Sequence, residues 1–234
     1  MSMGLADLVF PAICASCGSL GPKICTNCLK KARPIEKDWC LSCGNEVETV
    51  APCVRCFDTN DKPRVISLWY YETTISRAIW SLKYKSNASI VTDLFHLATP
   101  EAIGRVFCGL GQYTNPVFLP IPLHKEKERE RGYNQALLIA KALEIFTGVT
   151  IEDSAICRVR KTQPQAHCKS RTQRAANIHG AFHMTNPERL RGRTAILVDD
   201  VITTGETAQE VVRVLKKHRL SAPQLICLAR EKIE

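Results

Sequence analysis

The sequence predicts an α/β protein, a mostly parallel sheet with helices on both faces, preceded by a small cysteine-rich zinc-ribbon region. Three observations predict it. Four Cys-x2-Cys pairs crowd the first 56 residues. Beyond them, short apolar runs alternate with segments of helical periodicity, the pattern of strands joined by crossover helices. One such run, Thr194-Ala195-Ile196-Leu197-Val198, leads into two adjacent aspartates, a loop of hydroxyls with one glycine, and a helical pattern. With 234 residues the chain accommodates one medium domain and one small one. Polar Asp58 to Pro63 reads as the linker, giving a zinc-ribbon domain at 1–60 and an α/β domain at 61–234.

The N-terminal residues Leu5, Leu8, Val9, Phe10 and Ile13 form a short amphipathic lead-in, too weak for a signal peptide. No apolar run approaches the ~18–20 residues of a membrane span, so a cytoplasmic location is expected. The cysteine pairs follow: Cys14 and Cys17, Cys25 and Cys28, Cys40 and Cys43, Cys53 and Cys56. Two thiolates three positions apart hold one tetrahedral ion across a tight turn, and four such pairs point to two zinc ions. Sequential pairing gives one site from Cys14, Cys17, Cys25 and Cys28 and another from Cys40, Cys43, Cys53 and Cys56. Crossed pairing, with Cys14 and Cys17 joining Cys40 and Cys43, also satisfies the valence. The loops of seven and nine residues between knuckles favour the sequential arrangement. A closed Cys₄ site leaves no open coordination position, so both zincs are expected to be structural. A segment with so few large apolar residues needs such a staple to fold.

After the linker, Arg64 to Tyr71 reads as a strand and Ile75 to Lys83 as a helix with Ile75, Ala78, Ile79 and Leu82 on one face. A further helix is expected over Ile90 to Ala102. Pro116 to Pro120 is a short apolar strand. The stretch Lys125 to Arg131 alternates four cations with three acids and reads as a solvated segment. Asn134 to Phe146 is an apolar helix stopped by Gly148. Its N-terminus is suited to an anion. Cys157 to Asn177 carries six basic residues and no acid, and is expected to be a mobile loop able to close over phosphates. Ala181 to His183 is a short strand and Gln224 to Ala229 another. Cys227, in an apolar run, reads as an inert core residue. In the helix after the aspartates, Ala208, Val211, Val212 and Leu215 form the buried face.

The run from Asp199 to Thr207 carries the chemistry. Ligands of parallel α/β sheets sit beyond the carboxyl ends of the strands. The loop turns backbone N–H groups toward one phosphate, the helix N-terminus adds its positive dipole end, and Gly205 allows close approach. The carboxylates of Asp199 and Asp200 suit vicinal ribose hydroxyls or Mg²⁺. A ribose-5-phosphate site results. The formal charge of +9 favours a polyanionic partner, phosphate-rich small molecule or nucleic acid. With two zinc tetrathiolates at about −2 each, the total is still about +5.

This run closely resembles the phosphoribosyl-pyrophosphate (PRPP) motif of type I phosphoribosyltransferases. The resemblance implies that Asp199 and Asp200 contact the ribose hydroxyls and share Mg²⁺ with PRPP. It also implies that the loop Val201, Thr203, Thr204, Gly205, Glu206 and Thr207 cradles the 5-phosphate. Upstream stand Tyr71 to Tyr84 with its Ile-x-x-Leu-Lys-Tyr ending, Pro120 to His124, Arg129 to Gln135 and Arg160 to Gln165 with Arg171, Arg174 and Asn177. Behind the zinc knuckles, in this order, these segments resemble the ComF family of competence proteins, a double zinc ribbon fused to a type I phosphoribosyltransferase-like domain. The resemblance implies pyrophosphate contacts from Pro122, Leu123, Arg131, Arg160, Lys161, Arg171 and Arg174. It implies handling of incoming single-stranded DNA in natural transformation, with a helicase-like ATPase and DNA-uptake proteins as partners. An active transferase with an unknown acceptor is the alternative. No catalytic residue is assigned. The hood that covers the base in type I enzymes is missing, and the zinc region is expected in its place.

Overall fold

Strand β-branching and alternation build the central sheet. In Thr194–Ile202, Ile196 and Val198 face one side of the sheet while Ala195 and Leu197 face the other, and all four are buried. A run buried on both faces must lie inside a covered parallel sheet. The computed structural model describes residues 12–48, 53–56, 63–85, 88–162 and 171–232, without the side chains of 171, 172, 174 and 175. The strands are β1 (Asp38–Cys40), β2 (Glu46–Val47), β3 (Arg64–Tyr70), β4 (Pro116–Pro120), β5 (Ile156–Arg158), β6 (Phe182–Met184), β7 (Thr194–Ile202) and β8 (Gln224–Arg230). The main sheet has the order β2-β1-β3-β8-β7-β4, and β5 pairs with β6 in a small second sheet. From β3 to β4 all neighbours are parallel. One face is covered by α2 (Thr73–Tyr84), α3 (Ile90–His96), α4 (Pro100–Leu110) and α6 (Gln135–Thr147), the other by α8 (Glu206–Lys217). The remaining helices are α1 (Thr26–Leu29), α5 (Lys125–Arg131) and α7 (Arg171–Ile178). No helix among the described residues is long and apolar enough to cross a membrane.

Most elements stand where the sequence places them, and three differ. The helix expected over Ile90 to Ala102 is two helices. Thr99 accepts a hydrogen bond from the N–H of Ala102 and caps a new helix with Pro100 at its first position, so the chain turns there. Lys125 to Arg131, read as a solvated segment, is the short helix α5. Its ends are set by His124, which accepts from the N–H of Glu126, and by left-handed Gly132. The stretch Cys157 to Asn177 is not one mobile loop. Its beginning lies in β5, paired with β6, and its end is α7, which packs on α8. The lead-in at Leu5 to Phe10, most of the linker at Asp58 to Pro63, and Gln163, Pro164, Gln165, Cys168 and Lys169 lie outside the described residues. Cys227 is 1 % exposed, donates or accepts a hydrogen bond with Ser67 Oγ at 3.0 Å, and its thiol is pushed up to about 12 by burial. That makes it the inert core residue expected.

The cysteine-rich region is spliced into this sheet. β1 pairs antiparallel with β3, Trp39 opposite Val65 and Cys40 opposite Arg64. At the junction Asp38 is fully buried. Its carboxylate meets Arg105 Nη1 at 2.5 Å and Arg64 Nε at 3.4 Å. Arg105 also donates to the Ser67 carbonyl, and Arg64 to Gln224 Oε1, both at 3.0 Å. Removing one partner of a buried ionic cluster leaves the others uncompensated and costs about 3–5 kcal/mol. Asp38→Ala should therefore lower unfolding free energy by about that much in denaturant titrations, with the two arginines left unpaired. A loss below about 1 kcal/mol would show that the cluster does not hold the junction.

Candidate phosphoribosyl and zinc sites

The eight knuckle cysteines gather into two clusters, Cys14, Cys17, Cys25 and Cys28 in one and Cys40, Cys43, Cys53 and Cys56 in the other. The pairing is sequential. Within each cluster all four sulfurs lie within 4.8 Å of one another. Cys17 and Cys25 Sγ are 3.7 Å apart, and Cys43 and Cys53 Sγ 3.5 Å. A zinc ion with bonds of about 2.3 Å sets tetrahedral sulfurs about 3.8 Å apart, so both clusters fit structural zinc. The knuckle turns close through left-handed Gly18 and Gly44, whose N–H groups donate to the Cys14 and Cys40 carbonyls at 2.9 Å. The first cluster docks on α2: the Thr74 hydroxyl donates to the Cys28 carbonyl at 3.2 Å and Arg77 to the Ser16 carbonyl at 2.5 Å. The second docks on the loop and first turn that follow the two aspartates. Gln209 Nε2 donates to the Leu41 carbonyl at 3.0 Å. Gly205 has φ +81°, and a Cβ there would stand 2.7 Å from Leu41 Cδ1. The left-handed backbone angle strains any side chain at this position, and a Cβ would also force the Leu41 side chain to shift.

A cavity of about 180 Å³ opens beyond the carboxyl ends of β4 and β7. Asp199, Asp200, Val201 and Thr207 line it, with Pro122, Leu123 and Arg131. It also contains residues that the sequence alone does not assign to the site: Lys83, Lys127, Asn134, Gln135, Arg158 and Thr162. Lys83 comes from the end of α2 and its Nζ meets Asp200 Oδ2 at 2.9 Å. Burial alone lowers the Lys83 ammonium, but the carboxylates of Asp200 and Asp199 overcome this and raise it. The lysine of the Leu-Lys-Tyr segment is thus visible in the sequence, but its reach to the aspartates is not. Arg158 stands at the end of β5, where burial lowers its value while Asp199 holds it charged. Burial, with Arg158 and Arg131 nearby, lowers Lys127. Asn134 caps α6 by accepting from the N–H of Ala136 at 3.0 Å and donates to the Ile121 carbonyl at 3.1 Å. The N-terminus of α6 therefore opens onto the cavity, as its anion-binding reading requires.

The other expected residues are placed differently. Thr203 and Thr204 line a small hollow with Trp39, Cys40, Leu41 and Arg230, on the side of the second cysteine cluster. Glu206 is buried at the first turn of α8. Arg160 donates to the carbonyls of Asn177 and His179, and Lys161 pairs with Glu126, so neither lines the cavity. The side chains of Arg171 and Arg174 lie outside the described residues. Nothing from the cysteine-rich region lines the cavity among the described residues, although that region is expected where a hood would sit.

Asp199 Oδ1 accepts the N–H of Asp200 at 2.8 Å. Burial, then the adjacent Asp200, pushes the Asp199 carboxyl up to about 7 from 3.8. The two carboxylates face a cavity that also holds Lys83, Lys127, Arg131 and Arg158. Together they suit a ligand with hydroxyls and phosphates, or a divalent ion between them.

Two family models match the chain, the double zinc ribbon domain over residues 5–57 and the phosphoribosyl transferase domain over residues 131–233. The DNA utilization protein YhgH of Escherichia coli O157:H7 is 31% identical over 235 residues, covering 95% of this chain and 99% of that protein. Competence protein F of Haemophilus influenzae is 27% identical over 213 residues, 88% of this chain and 90% of that protein. Competence protein ComFC of Bacillus subtilis is 26% identical over 200 residues, 82% of this chain and 78% of that protein.

Three measurements check this geometry. Reduced protein should contain about two zinc ions per chain by elemental analysis. Cys40→Ser should raise hydrogen exchange across Thr203 to Gln209 through Leu41, and Cys25→Ser should not. The third concerns Asp199. A carboxyl raised in the folded state contributes stability that is fully present below its unfolded value of 3.8 and lost as pH rises through about 7. Asp199→Asn removes that loss and keeps the acceptor for the Asp200 N–H. In magnesium-free melts its Tm gain should be larger at about pH 8 than at about pH 5.

Proposed function

Because the chain belongs to the family of competence protein F and DNA utilization protein YhgH, with a double zinc ribbon and a phosphoribosyl transferase domain, we propose that it handles single-stranded DNA during natural transformation under the control of a phosphoribosyl ligand. The observation that carries the ligand is the cavity itself. It places two adjacent carboxylates at a strand end opposite Lys83, Arg131 and Arg158, at the N-terminus of α6. The ligand is PRPP or a close relative, bound with Mg²⁺.

In this reading Asp199 and Asp200 accept hydrogen bonds from the ribose 2′- and 3′-hydroxyls, and Thr207 with the first turn of α8 receives the 5-phosphate. Arg131, Arg158 and Lys127 meet the pyrophosphate. Lys83 holds Asp200 in the free protein and gives way to ribose or metal on binding. Asp199 and Asp200 would hold Mg²⁺, which would supply neutralisation of the ligand's negative charge. The protein works in the cytoplasm, with a helicase-like ATPase and DNA-uptake proteins as partners. Transfer of ribose-5-phosphate to an acceptor is the second reading. It is favoured by the cations on the pyrophosphate side, which suit a departing anion.

Calorimetry tests the pocket. Wild type should bind PRPP–Mg²⁺, and the double variant Asp199→Ala, Asp200→Ala should bind none while keeping its fold and zinc. Equal affinity for the two proteins would sink the pocket assignment, and pyrophosphate release on adding nucleobases would promote the transferase. Labelled oligonucleotides test the DNA part. Affinity should fall steeply with salt, and neutralising Lys169, Arg171 and Arg174 should reduce the salt slope by up to about one unit for each phosphate that no longer meets a cation.

A further inference from the structure

The C-terminal end of α2 exposes two aromatic rings one helical turn apart. Trp80 is 52% exposed and Tyr84 62% exposed. The opposite face of the helix already supplies the core with Ile75, Ala78, Ile79 and Leu82, so these rings serve no packing need. Their centroids lie 5.5 Å apart with planes inclined at 41°. A cation stands by each ring: Lys85 Nζ 5.3 Å from the centroid of Trp80, and the Arg131 guanidinium 5.4 Å from that of Tyr84. Arg131 also lines the cavity, held by a 2.8 Å hydrogen bond from its Nη1 to Gln135 Oε1. Between the two rings in sequence, Lys83 turns into the cavity and meets Asp200. Tyr133 donates its hydroxyl to the Leu82 carbonyl, which fixes the end of α2 against the turn into α6. The exposed rings therefore stand beside the cavity, joined to it through Arg131 and Lys83.

We propose that Trp80 and Tyr84 form a stacking platform for the bases of a single-stranded nucleic acid, with Lys85 and Arg131 meeting its phosphates. The inference rests on the DNA-handling part of the reading above and gives that part a surface. Chemistry selects the occupant. Exposed aromatic faces stack on any base, and adjacent cations track the backbone, which is how single strands are held with little sequence preference. A duplex hides its base faces. Each ring is flanked by a cation, a charge complement that favours a polyanion over an apolar protein face. Arg131, shared by platform and pocket, couples the two: a pyrophosphate in the cavity competes with the strand for the same guanidinium.

Fluorescence anisotropy with a labelled oligothymidine and an abasic strand of equal length tests this on the full chain. Wild type should prefer the thymidine strand. Trp80→Ala with Tyr84→Ala should weaken that strand about tenfold or more and leave the abasic strand unchanged, since each stacked base is worth about 1–3 kcal/mol. Trp80→Phe, which keeps a ring, should retain most of the affinity. Unchanged melting temperature and zinc content establish that the variants fold. If wild type binds the thymidine strand but ignores the double substitution, or does not distinguish it from the abasic strand, the platform is refuted and DNA handling stands. If wild type binds no strand at low salt, DNA handling falls and the platform with it.

Discussion

The pairing of β1 with β3, closed by buried Asp38, is the interaction on which the placement of everything else depends. Two antiparallel residue pairs would be a weak joint in water. Asp38 between Arg105 and Arg64 makes it a specific one, because sliding the strand by one residue would strand three charges in the interior. Once β1 is fixed, Cys40 and Leu41 are fixed with it. Leu41 then lies against Gly205, and Gln209 reaches back to its carbonyl. The second cysteine cluster and the loop at Thr203 to Gly205 thus share one packing surface. A cluster that fits structural zinc thereby acquires a positional role beside the candidate site.

The cavity is governed by an electrostatic compromise. Burial first, and then the neighbouring Asp200 carboxylate, make ionisation of Asp199 costly, and its carboxyl is held up to about 7. Lys83 stabilises Asp200 at 2.9 Å. Arg158 and Lys127 line the same cavity, each lowered chiefly by burial, and Arg131 stands with them, hydrogen-bonded to Gln135. A cavity that sets two carboxylates among four cations suits a ligand carrying both hydroxyls and anionic groups.

Local signals are legible wherever one residue type decides the backbone. The knuckle pairs, β4 at Pro116 to Pro120, the stop at Gly148 and the loop glycine at 205 all read directly from sequence. The break at Pro100 is equally local, but apolar periodicity runs straight past it and hides it. Helix α5 escapes the same reading because alternating charge carries no hydrophobic period, and its boundaries rest on His124 and Gly132 instead. Low apolar content makes Cys157 to Asn177 look like one loop. Yet β5 gains its order from pairing with β6, and α7 from packing on α8, contacts that composition does not report.

The sequence by itself determined the cysteine knuckles, the strand–Asp–Asp–loop–helix run and the alternation of strands with helices. These are set by neighbours within a few residues, where thiolate spacing, strand period and turn chemistry act. Only the tertiary structure decided which knuckles share a metal and that β1 enters the main sheet. It alone brought Lys83 from α2, Arg158 from β5 and the α6 cap Asn134 to the cavity that the aspartates line. It also turned Thr203 and Thr204 toward the cysteine cluster, and Arg160 and Lys161 away from the cavity. The reason is that charge pairing and cavity lining depend on distance in space. A parallel sheet joins strands that lie far apart in sequence, and no spacing along the chain encodes which side chains meet at its edge.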